Sequence, residues 1–231
     1  MEANKPRDIY GYRARIGYIS PPAATEVFPY EFYMVAPKGV SLVVSTLAIV
    51  DMNKEEIDRS YEMSLRAARE LARSQVDVVV FGGRPINRSR GGDIRGLIDE
   101  VEREIKVPVT TSTSAQMEAL AMVGARHVVL AHPFSHEKND TESAGMAENN
   151  LELAAIEGAG YPAHLLGLVP RSAAMSMARE LMKRAPHADT LWMPCPHWAV
   201  AESIDPGDAW RRRSRRAAAV RAMSNGESRL T

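Results

Sequence analysis

The chain has 231 residues, 45% of them apolar and 25% charged, with 29 basic and 29 acidic side chains. That balance is ordinary for a globular protein and gives no bulk field toward nucleic acid or membrane. The single cysteine excludes an internal disulfide and fits a reducing compartment. Met1 to Asp8 is polar and lacks a secretory apolar core, and the longest apolar stretch, Val40 to Val50, is too short for a bilayer. The expected setting is soluble and cytoplasmic.

In chain order, apolar runs alternate with amphipathic stretches, the pattern of βα units. Strands are expected near 15–20, 41–47, 76–82 and 107–111. Val76 to Phe81 is nearly continuous and β-branched, as a buried parallel strand should be. Lys54 to Arg73 carries leucines, alanines and methionines at helical spacing, with Asn53 or Asp51 placed to cap it. Further helices are expected over 93–104 and 114–123. The second half reads as strand 127–131, helix 136–157, strand 163–168, helix 171–184 and strand 189–194.

The two halves repeat one pattern. Ile16-Gly-Tyr-Ile-Ser-Pro21 opens the first and Val128-Val-Leu-Ala-His-Pro133 the second, with their prolines in the same register. Gly83 lies 67 positions after Ile16, and Cys195 lies 67 positions after Val128. Asp77 and Asp189 hold equivalent places before their strands. The predicted fold is α/β, two pseudo-twofold-related Rossmann-like parallel-sheet subdomains with a cleft between them, pointing Gly83 and Cys195 at each other. The subdomains are drawn at 1–124 and 125–205, followed by an atypical basic tail, 206–231.

That tail holds seven arginines against two acids. The counterpart of Pro108 should fall near position 220, where Ala217 to Arg221 offers no strand-like run, so the second unit looks unfinished. A solvated basic helix and a C-terminus altered by a reading-frame change both suit the tail. A nucleic-acid arm is disfavoured, because no aromatic or glycine interleaving supports stacking.

These pieces resemble the aspartate/glutamate racemase superfamily, and within it the arylmalonate decarboxylase and maleate isomerase branch. The matching residues are Ser20-Pro-Pro-Ala-Ala24, the Val78-to-Gly83 strand with Arg90-Gly91 beyond it, Val107-Pro-Val-Thr-Thr-Ser112, Ala131-His-Pro-Phe134 and the Cys195 strand. Order and spacing cover about residues 14–205. The resemblance implies two α/β subdomains around a cleft. Racemases and maleate isomerases of this group place a cysteine on each side; the decarboxylases pair a glycine with one cysteine, whose thiol protonates the carbanion left by loss of CO2. Gly83 and Cys195 match the latter. Four positions depart from it. Arg84 and Pro85 replace two hydroxyl residues that cradle a carboxylate, Phe134 replaces a tyrosine, and Pro196 replaces a glycine whose N–H would help, since proline has none.

Cys195 follows a strand and precedes an expected helix from about Trp198, whose positive end would lower the thiol pKa; a buried inert thiol is the plain alternative. His197, two residues on, suits a cation or proton relay, against a structural hydrogen bond at the cleft rim. Arg84 sits where a substrate carboxylate is expected, and its forked guanidinium would replace the lost hydroxyls; a salt bridge is the alternative. Gly83, Pro21, Pro22 and Phe134 complete the candidate substrate-binding set, whereas Arg88 and Arg90 read as solvated. His132 and His136 have zinc-like spacing, but Pro133 interrupts them and no third ligand is evident. The glycine pairs lack the dinucleotide fingerprint. No cofactor and no metal are expected.

The leading expectation is a cofactor-independent enzyme moving a proton at the carbon next to a carboxylate, by decarboxylation of a malonate-type acid with Cys195 as donor. A maleate-type cis–trans isomerase is the runner-up, by thiolate addition to a double bond. Two-base racemisation is disfavoured because Gly83 cannot hold a proton. The rival class is a catalytically impaired or small-acid-binding descendant, favoured by the altered tail and lost cradle, with a protein-interaction role for the tail as a third reading. The expected partner is a small carboxylate, with no nucleic acid and no membrane; a homo-oligomer is compatible with the sequence.

Overall fold

The computed structural model describes residues 8–22, 25–49, 54–83 and 93–201. Arg84, Pro85, Arg88, Arg90 and Gly91, the proposed caps Asp51 and Asn53, and the tail 206–231 lie outside the described residues. The chain divides into two compact units. One takes 8–22, 35–49, 54–83 and 93–115 of the described residues, the other 25–34 and 116–201. No helix among the described residues is long and apolar enough to cross a membrane.

The first unit is a parallel four-stranded sheet. Its strands are β1 (Ala14–Pro22), β2 (Val40–Ile49), β3 (Val78–Phe81) and β4 (Val109–Thr111), ordered β2-β1-β3-β4. Val79, Phe81 and Ile19 are fully buried, as expected of central strands covered on both faces. Helix α2 (Lys54–Arg73) buries Ser60, Ser64, Ala67, Ala68 and Leu71, a stripe at three- and four-residue spacing. Helix α3 (Ile94–Ile105) starts where the Asp93 carboxylate accepts the Gly96 N–H at 2.9 Å and ends where Lys106 turns left-handed at φ 57°.

Pro21 and Pro22, expected to shape the first loop, instead finish β1. The register of β1 against β2 shifts between Ser20 and Pro22. Proline cannot donate to a sheet ladder, so the pairing slips where the two prolines enter it. The first helix of the chain, α1 (Val27–Val35), lies between β1 and β2 in sequence but belongs, through residues 25–34, to the second unit. Helix α4 (Ser112–Met122) likewise changes unit between Ala115 and Gln116.

The second unit is a parallel sheet of β5 (His127–His132), β6 (Glu152–Gly158) and β7 (Thr190–Trp192), ordered β6-β5-β7, with helix α6 (Arg171–Arg184) packed on it. No fourth strand flanks β7 among the described residues. The sequence expectation fails between β5 and α6. The helix expected over 136–157 is replaced by a 3-10 turn at His136–Lys138, a short α5 (Asn139–Ser143), a second 3-10 turn at Ala147–Asn149 and strand β6. Gly145 at φ 84° and Asn150 at φ 57° hold left-handed backbone that no helix can continue through. The strand expected at 163–168 is a 3-10 turn, Ala163–Leu168.

The internal repeat appears in both sheets at one register. Ile16 pairs with Val78 in the first, and Val128 pairs with Thr190 in the second. The aspartates ahead of β3 and β7 do the same work. Asp77 accepts the Arg15 N–H at 2.7 Å. Asp189 accepts the His127 N–H at 3.1 Å, the Arg126 N–H at 3.2 Å and the Thr190 hydroxyl at 2.7 Å. Burial alone would raise the Asp189 pKa, but these hydrogen bonds outweigh it and hold the carboxyl below its ordinary range. Each aspartate thus satisfies N–H groups where the neighbouring strand begins. Asp189→Ala is expected to cost about 1–3 kcal/mol by stranding them, read as a lower urea midpoint at pH 7; an unchanged midpoint would deny the carboxylate that role.

Candidate active site

Past β3 and past β7 the chain leaves the sheet in a short segment that carries one member of the repeat. In the first unit, Gly83 lies just past β3 with φ 69°, a left-handed conformation that favours glycine. Its N–H donates to the Ser112 hydroxyl at 3.0 Å, at the start of α4. A side chain at 83 would be strained there, so the backbone itself specifies glycine.

In the second unit, β7 ends at Trp192 and the chain runs on as Met193-Pro-Cys-Pro-His-Trp-Ala-Val200, outside the sheet. Prolines on both sides of Cys195 remove two N–H groups and stiffen the backbone at the thiol. Cys195 is 9% exposed and belongs to an apolar cluster with Leu166, Val169, Ala131 and the fully buried Trp198, against which Phe134 packs. The structure therefore brings Cys195 and Phe134 into one cluster. The helix expected from about Trp198 does not begin there; the first helical residue past Cys195 is Ala201, in 3-10 conformation, the last of this described stretch. Pro196 and His197 form a turn, and Trp198 to Val200 is irregular.

The backbone N–H groups that an incoming helix end would offer are already engaged. The Glu31 carboxylate, 5% exposed on α1, accepts the N–H of Val200 at 2.7 Å and of Ala201 at 2.6 Å through one oxygen. The same N-terminal segment meets His197, whose Nδ1 lies 3.4 Å from the Thr25 hydroxyl. Burial is the main influence on His197 and drives its pKa down to about 4, with the Glu26 charge opposing weakly. A pKa of about 4 favours the neutral ring at neutral pH, which weighs against the cationic role left open by the sequence and leaves the relay and the structural hydrogen bond. Glu26 itself lies so close to Gly167 that any β-carbon there would collide with its carboxylate.

Sequence reasoning missed Glu31 and Gln116. Gln116, on α4, accepts the Trp192 indole N–H at 3.1 Å and donates to the Pro194 carbonyl at 3.1 Å. The one available signal was Glu31 itself, a charge inside the aromatic run Val27-Phe-Pro-Tyr-Glu-Phe-Tyr-Met34. His132 and His136 do not converge: His132 Nε2 is 2.8 Å from the Asn139 side-chain oxygen inside the core, while His136 is exposed.

Two α/β units built on parallel sheets, one repeat carrying glycine and the other the sole thiol, define a protein of the aspartate/glutamate racemase superfamily, in its branch of cofactor-independent decarboxylases and isomerases. The arylmalonate decarboxylase family model matches residues 16–207, and the chain belongs to that family. It is 25% identical to the arylmalonate decarboxylase of Bordetella bronchiseptica over 191 residues, covering 82% of this chain and 79% of that one. Its fold is similar to a crystal structure of arylmalonate decarboxylase, with TM-score 0.71 and 22% identity over 93% of this chain and 94% of the other. The maleate isomerase of Pseudomonas putida S16 is also similar in fold, with TM-score 0.73 and 18% identity over 91% and 90%.

Proposed function

We propose that the chain decarboxylates a malonate-type acid and that Cys195 protonates the resulting carbanion. The observation that carries this reading is the position of the sole thiol, just beyond β7 at the repeat counterpart of Gly83. Loss of CO2 leaves an electron pair on the carbon next to the remaining carboxylate. The Sγ–H bond breaks as the C–H bond forms, and the thiolate is reprotonated from solvent before the next turnover. A protonated sulfur is the form this step uses.

Thiolate addition to a double bond, the maleate-type alternative, needs the sulfur anion at the outset and gains from a nearby cation. His197 is neutral at neutral pH and supplies none, which favours the donor role over addition. Two-base racemisation finds no second acid at Gly83. The sequence gives the carboxylate-binding role to Arg84, and Arg84→Ala is then expected to raise KM more than it lowers kcat.

The test is incubation of the purified chain in D2O with disubstituted malonates, maleate and amino acids. Release of CO2 with one deuteron on the product carbon supports the reading. Conversion of maleate to fumarate alone would assign the isomerase, and saturable binding without turnover would assign a small-acid-binding descendant.

A further inference from the structure

The segment that carries Cys195 is outside the sheet, yet it is not left loose. Between Trp192 and Ala201 it is tied at both ends by side chains from distant parts of the chain. On the strand side, the Gln116 amide takes the Trp192 indole N–H with its oxygen and gives its own N–H to the Pro194 carbonyl, the peptide oxygen adjoining Cys195. On the far side, the Glu31 carboxylate gathers the N–H groups of Val200 and Ala201. Trp192, Glu31 and Ala201 are all buried, so these bonds are made where water does not compete for the same groups.

From this geometry we infer that Glu31 and Gln116 are positioning residues that fix the backbone on either side of Cys195 and so aim its thiol. The inference deepens the proposed function, because it rests on Cys195 being the proton donor. The prolines at 194 and 196 make such ties necessary. Neither offers an N–H with which the backbone at Cys195 could hold itself. Proton delivery depends steeply on placement, and a displacement of about 1 Å at a reacting group costs on the order of a hundredfold in rate. Neither side chain acts as acid or base here; each holds main-chain or indole atoms.

The test compares Glu31→Ala, Glu31→Gln, Glu31→Asp and Gln116→Ala in the full chain, with Tyr30→Ala on the exposed side of α1 as control. Two readouts are taken on folded protein: kcat and KM for deuterium incorporation, and the rate of Cys195 alkylation by iodoacetamide at pH 7. Glu31→Ala and Gln116→Ala are expected to lower kcat by at least about tenfold while KM changes less than about threefold, and to change the alkylation rate by a similar factor. Glu31→Gln keeps an oxygen acceptor in place and is expected to return both readouts to within about threefold of the wild type. Glu31→Asp withdraws the acceptor by one methylene and should fall between; it stands in for the alanine variant if that one does not fold. Wild-type kcat and alkylation rate in folded Glu31→Ala or Glu31→Asp, together with folded Gln116→Ala, would overturn the inference. Equal losses in the glutamine and alanine variants would also overturn it, because they would point to charge and not to position. Alkylation needs no substrate, so it decides the positioning claim even if Cys195→Ala remains active and the proposed chemistry fails.

Discussion

Cys195→Ala is expected to abolish deuterium incorporation, with a loss of about a thousandfold or more in kcat. A positioned acid contributes roughly 10²–10⁴ to a proton-transfer step, and no second thiol exists to take over. Cys195→Ser separates shape from acidity. Its hydroxyl fills nearly the same space in the cluster of Leu166, Trp198 and Phe134, but it is a much weaker proton donor, so binding should persist while turnover fails. The informative comparison is product inhibition. A decarboxylation product should bind the serine variant with a Kd close to that of the wild type. Retention of more than about a tenth of the wild-type kcat in the alanine variant would remove Cys195 from the chemistry.

The second large effect is on stability in acid. An exposed histidine in the unfolded chain titrates near 6.5, whereas His197 in the folded protein is held down to about 4 by burial. The folded state therefore binds its proton less readily than the unfolded state. The contribution of the neutral ring is fully present above pH 6.5 and is lost as pH falls through about 4. Over that window the shift corresponds to roughly 3 kcal/mol of unfolding free energy. His197→Asn should flatten that part of the pH dependence while leaving the acidic titration of Asp189 in place. Urea unfolding at pH 7, 5.5 and 4 checks it: a variant that loses as much stability as the wild type between pH 7 and 4 would show that His197 is not the group responsible.

The strands that the sequence reveals best are those buried along nearly their whole length. β3 and β5, Val78-Val-Val-Phe81 and His127-Val-Val-Leu-Ala-His132, are apolar runs buried at all but their first residue, and α2 shows its buried stripe directly. β6 is different. Glu152-Leu-Ala-Ala-Ile-Glu-Gly158 is composed of good helix formers, and only its pairing with β5 makes it a strand; local propensity yields to the sheet edge it completes. Helix α1 hides for the opposite reason. Tyr30 and Tyr33 are exposed and Glu31 is buried, which inverts the polarity by which a helix is normally recognised. At the site, the thiol and its strand register were legible because both are written in linear spacing. Glu31 and Gln116 were not, because each meets the Cys195 segment across a long stretch of intervening chain, and spacing carries no trace of that meeting.

The order of synthesis gives Glu31 a particular history. Its two backbone partners lie 169 and 170 residues further along the chain. At about 5–20 residues per second, a ribosome delivers them on the order of 10 to 30 s after Glu31 has emerged. Helix α1 has nine residues, too few to persist alone in water. The first unit can assemble its sheet through Thr111 while this segment, enclosed within its own sequence, is still waiting. Throughout that interval the Glu31 carboxylate lacks the two N–H groups it accepts in the folded protein. The two bonds that hold the far side of the Cys195 segment can therefore form only after residue 201 has been made.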